Sequence, residues 1–223
     1  MELKLKFKKK SKQKDKVTVK PDQKMALHAL QKQMQIFELK EWLFIFGFIG
    51  AASGLRALMQ GFPNVEPLTF FALLAGWLFG WKKGMLVGAS SLYISNFLVL
   101  GGQGPWTIFQ VLGYGLVGFL GGFLRKNSGI VRAMSIAFIA TLMLQLIFNI
   151  GWSAVIGFNV IVAMFTGLPF TIIHVISNTI FAAGLPKAKK MVDKIGKFNE
   201  KELCTDLIAQ LTSKLSKKQS KSQ

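Results

Sequence analysis

Apolar residues dominate the chain between residues 42 and 184, where they form long runs separated by short polar or glycine-rich segments. At about 1.5 Å of rise per residue, each run is near the length that a helix needs to cross a bilayer. The pattern therefore predicts an all-α integral membrane protein, a bundle of six transmembrane helices at residues 42–60, 66–81, 84–100, 106–124, 133–151 and 160–184.

Two basic segments flank this apolar region. Residues 1–41 hold 12 basic and 5 acidic residues, residues 185–223 hold 10 and 4, and residues 42–184 hold only 6 and 1. From Met25 onward, apolar residues recur every three or four positions, which predicts an amphipathic helix that leads into the membrane. We therefore predict three parts: a basic arm with its lead-in helix at 1–41, a membrane domain at 42–184 and a basic tail at 185–223.

The positive charges of the loops indicate the orientation of the bundle. Basic residues occupy the loops after the second and fourth predicted crossings, namely Lys82, Lys83, Arg125, Lys126 and Arg132. The other three loops contain no lysine or arginine and lie near residues 61–65, 101–105 and 152–159. Because basic loops stay on the cytoplasmic side, we expect both termini in the cytoplasm. The neutral loops then face outward, in a multi-pass protein of the cell membrane.

The net charge of +18 comes mainly from the two flanking segments. In a soluble protein such a charge would favour nucleic acid as the partner, but here the basic segments adjoin a membrane domain. We expect them to bind anionic lipid rather than nucleic acid, with RNA as the less favoured alternative. The single cysteine, Cys204, allows no internal disulfide and has no metal-ligand spacing, so neither a metal nor another cofactor is expected.

Residues suited to catalysis are scarce. The membrane region contains one carboxylate, Glu66, and one histidine, His174, so it lacks the paired carboxylates of general acid–base catalysis. The sequence shows no nucleophile elbow, no zinc-protease motif and no phosphate-binding loop. We expect no enzymatic activity, and ATP hydrolysis, if transport requires it, would occur on another chain.

Neutral polar and aromatic side chains cluster toward the predicted outer side. Trp106, Gln110 and Tyr114 recur every four residues and therefore share one helix face. Similar faces on the fifth and sixth crossings point into the bundle or a wet cavity, because a polar side chain facing lipid is costly. The predicted substrate-binding residues are Gln103, Trp106, Gln110, Tyr114, Asn149, Trp152, His174 and Asn178.

An alternative interpretation applies to each of these residues. Amide side chains in membrane helices also bond neighbouring helices, and for Gln110, Tyr114 and Asn149 the two interpretations are evenly balanced. A lone histidine such as His174 is more often a packing residue, and tryptophan is enriched at membrane interfaces in general.

The first crossing carries two further features. Arg56 needs a partner in the membrane, and Glu66 is the candidate for an ion pair, with outward snorkelling as the alternative. Four small residues on this crossing allow close approach of another helix, from this chain or from a partner: Gly50, Ser53, Gly54 and Ala57.

Three segments together resemble a known family: NVEPLTFFALLAGWLFGWKKGMLVGASSLYISN, GGQGPWTIFQVLGYGLVGFLGG and GLPFTIIHVISN. They are similar to the substrate-binding S components of energy-coupling factor (ECF) transporters, over residues 47–184. The resemblance implies a six-helix bundle that binds a vitamin-like micronutrient near the outer surface. It also implies a membrane scaffold subunit and two cytoplasmic ATPases as partners, with the first helix docking on the scaffold through small residues. Gly50, Gly54, Ser53 and Ala57 keep that spacing, although no literal Ala-x-x-x-Ala occurs.

We therefore expect a membrane-embedded substrate-capture subunit of an ATP-driven micronutrient importer. One rival is an autonomous small-molecule transporter or channel, whose only candidates for an ion-coupling group are Arg56, Glu66 and His174. Another is a non-catalytic membrane assembly factor that works through its basic tails.

Overall fold

A computed structural model describes the backbone of residues 21–220 and the side chains of residues 25–213. Most of the predicted N-terminal arm therefore lies outside the described residues. Within them the chain forms eight α-helices and no strand: α1 Pro21–Leu58, α2 Leu68–Phe79, α3 Trp81–Ser95, α4 Thr107–Gly121, α5 Ile130–Ile156, α6 Val160–Ala182, α7 Leu185–Gly196 and α8 Phe198–Ser220. The all-α prediction is confirmed for this part of the chain.

The chain divides into two compact units, Phe37–Phe198 and the two ends Met1–Ile36 with Asn199–Gln223. The predicted lead-in helix and the first crossing form one uninterrupted helix, α1, and the boundary predicted at residue 41 lies inside it. In the unit of the ends, the hydroxyl of Thr205 on α8 lies 3.8 Å from the sulfur of Met34 on α1. The cavities and polar networks described below lie within Phe37–Phe198.

The helices fall into two classes of length. Within the described residues, α5, α6 and the part of α1 from Met25 to Leu58 are the three helices long and apolar enough to cross a membrane. In contrast, α2 has 12 residues and α3 and α4 have 15 each. They rise only about 18–22 Å, against about 30 Å of hydrocarbon in a bilayer. Six crossings therefore stay a prediction, although six helices overlap the predicted segments.

Glycines with positive φ lie in two of the connections between these helices, and one of them ends a helix. Gly80 has a φ of 88°, which breaks the helix between α2 and α3 with a single residue. Gly101 has a φ of 66° in the connection between α3 and α4. Both connections are apolar, so the hydrophobic pattern continues where the helix does not. This is why the sequence predicted longer helices there.

The short helices α2, α3 and α4 pack through a seam of glycines, which we call the inner seam: Gly76, Gly84, Gly88, Gly118 and Gly121. A Cβ on Gly118 would overlap the backbone of Gly84, and a Cβ on Gly88 would overlap the backbone of Tyr114. The helix axes therefore approach more closely than any larger side chain permits.

Helices α5 and α6 have a different environment. Large apolar side chains cover their outer surface, including Ile161 at 64% exposure and Phe165 at 73%. Only five residues of α6 are buried: Ala163, His174, Val175, Asn178 and Ala182. Exposed apolar surface on this scale is typical of a lipid-facing helix.

At the basic end of the unit, polar contacts hold the helix ends together. Lys83 pairs with Glu41 of α1, and Trp77 donates a hydrogen bond of 2.9 Å to the backbone oxygen of Arg125. Lys189 of α7 lies 5.7 Å from the ring centre of Trp77 and pairs with Asp193. The first part of the predicted basic tail is thus a helix that packs against α2.

Candidate functional site

A cavity lies among α4, α5, α6 and two loops. Its volume is about 500 Å³, within the range of small-molecule sites. None of the described residues that line it is charged. They are Pro63, Asn64, Gly101, Trp106, Phe109, Gln110, Gln145, Phe148, Asn149, Trp152, Gly167 and Phe170.

Aromatic rings form much of the cavity wall. The rings of Trp106, at the start of α4, and Trp152, near the end of α5, have centroids 5.4 Å apart. Trp106 donates a 3.3 Å hydrogen bond to the backbone oxygen of Gly102, and its ring lies where a Cβ on Gly104 would be. The glycines of this loop therefore place the tryptophan at the cavity edge.

Four amide side chains line the cavity between these rings: Asn64, Gln110, Gln145 and Asn149. An amide offers both a donor and an acceptor, so this lining can recognise a polar edge without attracting a net charge. Gly167 of α6 gives room to one of them, since a Cβ there would lie 2.8 Å from the Asn149 Oδ1.

A smaller cavity of about 260 Å³ adjoins the first. The two share Pro63, Asn64, Gln110 and Phe148 in their lining. In addition, the smaller cavity is lined by Arg56 and Glu66. The charged groups of the region therefore lie beside the aromatic cavity and not within it.

Arg56 and Glu66 form an ion pair, with Nε 2.6 Å from Oε2. The Arg56 Nη1 also donates to the hydroxyl of Ser95 at 2.8 Å and to the Oδ1 of Asn96 at 2.6 Å. From there Asn96 donates to the Oε1 of Gln110 at 2.9 Å. The guanidinium of α1 is therefore linked through α3 to the cavity wall on α4.

Glu66 connects to the other side of the cavity. Tyr114 donates its hydroxyl to Glu66 Oε1. The Nε2 of His174 lies 3.6 Å from the same oxygen, and its Nδ1 lies 2.7 Å from the amide nitrogen of Gln145. His174 is 1% exposed and Tyr114 is fully buried. A buried network thus joins α1, α3, α4, α5 and α6 behind the cavity.

The predicted substrate-binding residues separate into two groups. Four line the larger cavity, namely Trp106, Gln110, Asn149 and Trp152. The others are not among its lining residues. Tyr114 and His174 belong to the network, while Asn178 donates to the hydroxyls of Thr69 and Thr141 at 3.1 and 3.3 Å. Gln103 lies on the loop, where it accepts from Thr107 at 3.1 Å and donates to the backbone oxygen of Tyr93.

Several residues that line the cavity were not predicted from the sequence. Phe109, Phe148 and Phe170 gave no signal, because phenylalanine is common throughout the membrane region. Pro63 and Asn64 were read only as part of a neutral loop. Gln145 is also absent from the predicted set, and the signal for it is the helix face that it shares with the predicted Asn149, four residues away.

The four predicted docking residues on α1 differ in their surroundings. Gly50 and Gly54 lie on an outer face of α1, where an added Cβ would meet no neighbouring helix within 4 Å in the described chain. In contrast, Ser53 is buried and donates 2.9 Å to the backbone oxygen of Ser91 on α3. Ala57 is partly buried.

The described residues contain no cluster of three or more side chains that could hold a metal ion. No protein-family model matches the chain, and neither a curated protein nor a solved structure is similar to it. The functional proposal therefore rests on the geometry of the cavity and on the sequence.

Proposed function

We propose that this protein is the substrate-capture subunit of an ATP-driven micronutrient importer in the cell membrane. It binds a small, ring-containing polar molecule near the outer face. One observation carries the proposal: a cavity of about 500 Å³ lined by aromatic rings and amides, with no charged residue in its described lining.

The chemistry of the cavity supports a neutral ring compound. Planar rings stack on tryptophan and phenylalanine side chains, each such contact contributing about 0.5–1.5 kcal/mol beyond area burial. The four amides supply hydrogen bonds that fix the orientation of the ring. A bare inorganic ion would find no charged group in the lining, which favours an organic ligand.

The loop charges support an outward opening. The cavity lining includes Pro63 and Gly101 from two of the neutral loops, and Trp152 from the end of α5 that leads into the third. The basic loops flank the opposite ends of these helices, where Lys83 pairs with Glu41. If basic loops lie inside, the cavity opens toward the outside of the cell.

The partners follow from the same proposal. The outer glycine face of α1 offers a docking surface for a membrane scaffold, as the resemblance to ECF S components implies. Since the sequence has no nucleotide-binding motif, two cytoplasmic ATPases would supply the energy through that scaffold. The basic tails would contact anionic lipid.

The test is to identify small molecules released from the purified protein by mass spectrometry. We expect one organic compound to be released from wild type and to be lost from the Trp106→Ala/Trp152→Ala variant. Trp81→Ala is the matched control, because Trp81 is an exposed tryptophan outside the cavity lining. Retention of the compound by the double variant would contradict the proposal.

One observation favours the rival of an autonomous, ion-coupled transporter. The three candidate coupling residues, Arg56, Glu66 and His174, lie together in the network. Buried ionisable groups in a membrane protein often mark proton pathways. We expect the purified chain alone in liposomes to show no uptake of the released compound under a pH gradient. Gradient-driven uptake by the chain alone would favour the rival.

A further inference from the structure

The hydrogen bonds that start at Arg56 determine whether the amide nitrogen or the amide oxygen of Gln110 faces the cavity. Arginine has only hydrogen-bond donors, so the Asn96 oxygen must accept from it, and the Asn96 nitrogen is left to donate. That nitrogen lies 2.9 Å from Gln110 Oε1, which therefore accepts. The amide nitrogen of Gln110 is left over and has no protein partner among the described residues.

Glu66 favours one orientation of Gln145 through the charge of its carboxylate, which lies beyond hydrogen-bond distance of His174. A carboxylate only accepts, so it favours the His174 tautomer with its proton on Nε2, the nitrogen 3.6 Å from Glu66 Oε1. Nδ1 then carries a lone pair and accepts from the Gln145 nitrogen at 2.7 Å. A proton on Nδ1 would instead make both Nδ1 and the facing Gln145 nitrogen donors, and no hydrogen bond could form between them. The Gln145 oxygen therefore remains for the cavity.

We propose that the Arg56–Glu66 pair gives the cavity a fixed hydrogen-bond polarity, with Gln110 offering a donor and Gln145 an acceptor. The ligand that fits this polarity is a neutral, planar nitrogen heterocycle with a cyclic amide on its edge. The carbonyl oxygen accepts from Gln110, and the adjacent ring N–H donates to Gln145. His174 is a positioning residue that acts through Gln145.

The aromatic lining supports this class of ligand. Trp106, Phe148 and Trp152 provide faces on which a planar ring stacks. The lining carries no charged side chain in the described residues, so a neutral ring is preferred to an ionic one. The inference rests on the proposed capture function and specifies the chemical class of its substrate.

The test compares two probes that differ by one methyl group. Quinazolin-4(3H)-one carries the cyclic amide, and 3-methylquinazolin-4(3H)-one lacks its N–H. Binding of each to the purified full-length chain is measured by calorimetry, after removal of any bound compound. We expect the methylated probe to bind about tenfold more weakly or worse, because it leaves the Gln145 oxygen unpaired.

Variants of His174 and Gln145 separate positioning from general structural support. In His174→Asn a side-chain oxygen can still accept from Gln145, so the preference for the unmethylated probe should persist. His174→Leu frees the amide to turn, and Gln145→Met removes it, so in both the ratio of the two affinities should fall to about one. A purely structural role would weaken both probes equally and leave that ratio unchanged. Gln145→Met serves as the decisive variant if His174→Leu does not fold.

The outcomes distinguish this inference from the proposed function. Equal affinities of wild type for the two probes, an unchanged ratio in Gln145→Met, or no binding of either probe would each overturn the inference. A compound released from the wild-type cavity that lacks a cyclic amide would also overturn it, while leaving the capture function standing. The capture function itself fails if the released compound does not depend on Trp106 and Trp152.

Discussion

Two groups of glycines in this protein have similar helical spacing and opposite surroundings. In the inner seam, Gly84 and Gly118 bring α3 and α4 into backbone contact, and neither has room for a Cβ. On the outer face of α1, a Cβ at Gly47, Gly50 or Gly54 would meet no neighbouring helix within 4 Å in the described chain. The same residue type thus closes one interface and leaves another surface open.

The contrast shows what small-residue spacing can and cannot predict. Glycines four residues apart allow a close helix approach, but the spacing does not say whether the partner belongs to the same chain. The glycines of the inner seam contact helices of the same unit, and so they stabilise its fold. The outer face of α1 has the same capacity, and its glycines have no neighbouring helix within reach of an added Cβ among the described residues. Substitutions on the two surfaces should therefore affect different properties.

The largest effect is expected in the inner seam. Gly118→Leu places a branched side chain against the backbone of Gly84, so we expect a loss of more than about 4 kcal/mol of stability or no folded protein. Thermal unfolding and size-exclusion chromatography in detergent provide the measurement. Gly50→Leu is the matched control and should change stability by less than about 0.5 kcal/mol. Equal stability of the two variants would remove the distinction between the surfaces.

The inner face of α1 should show the next largest effect. Arg56→Leu leaves the Glu66 carboxylate without its cation, which should cost about 3–5 kcal/mol of stability. The double variant Arg56→Leu/Glu66→Gln removes both charges and should recover part of this loss. A double-mutant cycle in thermal unfolding measures the coupling. An Arg56→Leu variant as stable as wild type would mean that the pair does not hold α1 to the bundle.

The outer face of α1 should show the smallest effect on stability but a specific effect on transport. Gly50→Leu/Gly54→Leu should leave thermal stability and ligand binding of the isolated chain intact, because neither position contacts another described helix. Transport with the proposed scaffold and ATPases should be lost, because the bulky side chains block close approach. Both properties are measured on the same preparation. Loss of binding with assembly retained would show that this face is not the docking surface.

The sequence predicted the helices better than their ends. Apolar periodicity located all six helices from α1 to α6, but the apolar connections at Gly80 and around Gly101 gave no sign of where α2 and α3 end. A helix end in an apolar loop depends on backbone angles, such as the φ of 88° at Gly80, that hydrophobic pattern does not encode.

The candidate site, like the helix ends, could be predicted only in part from the sequence. The four-residue spacing predicts Trp106, Gln110 and Tyr114 on one helix face, but the eight residues from first to last cover about 12 Å along the axis. One face therefore runs from the cavity edge at Trp106 to the buried network at Tyr114. Only tertiary packing shows that Glu66, in a connection far from α4 in sequence, meets the tyrosine there.

The most direct test of the proposed site is the affinity of the released compound for two variants of α4. Removal of the Gln110 amide should cost about 1–3 kcal/mol, or roughly tenfold or more in affinity. Trp106→Ala should mainly speed release, because its ring lies at the cavity edge. Calorimetry and dissociation kinetics on purified protein, with thermal stability measured alongside and Trp81→Ala as the control, give the result. Normal binding by both Gln110→Ala and Trp106→Ala at wild-type stability would place the ligand site elsewhere.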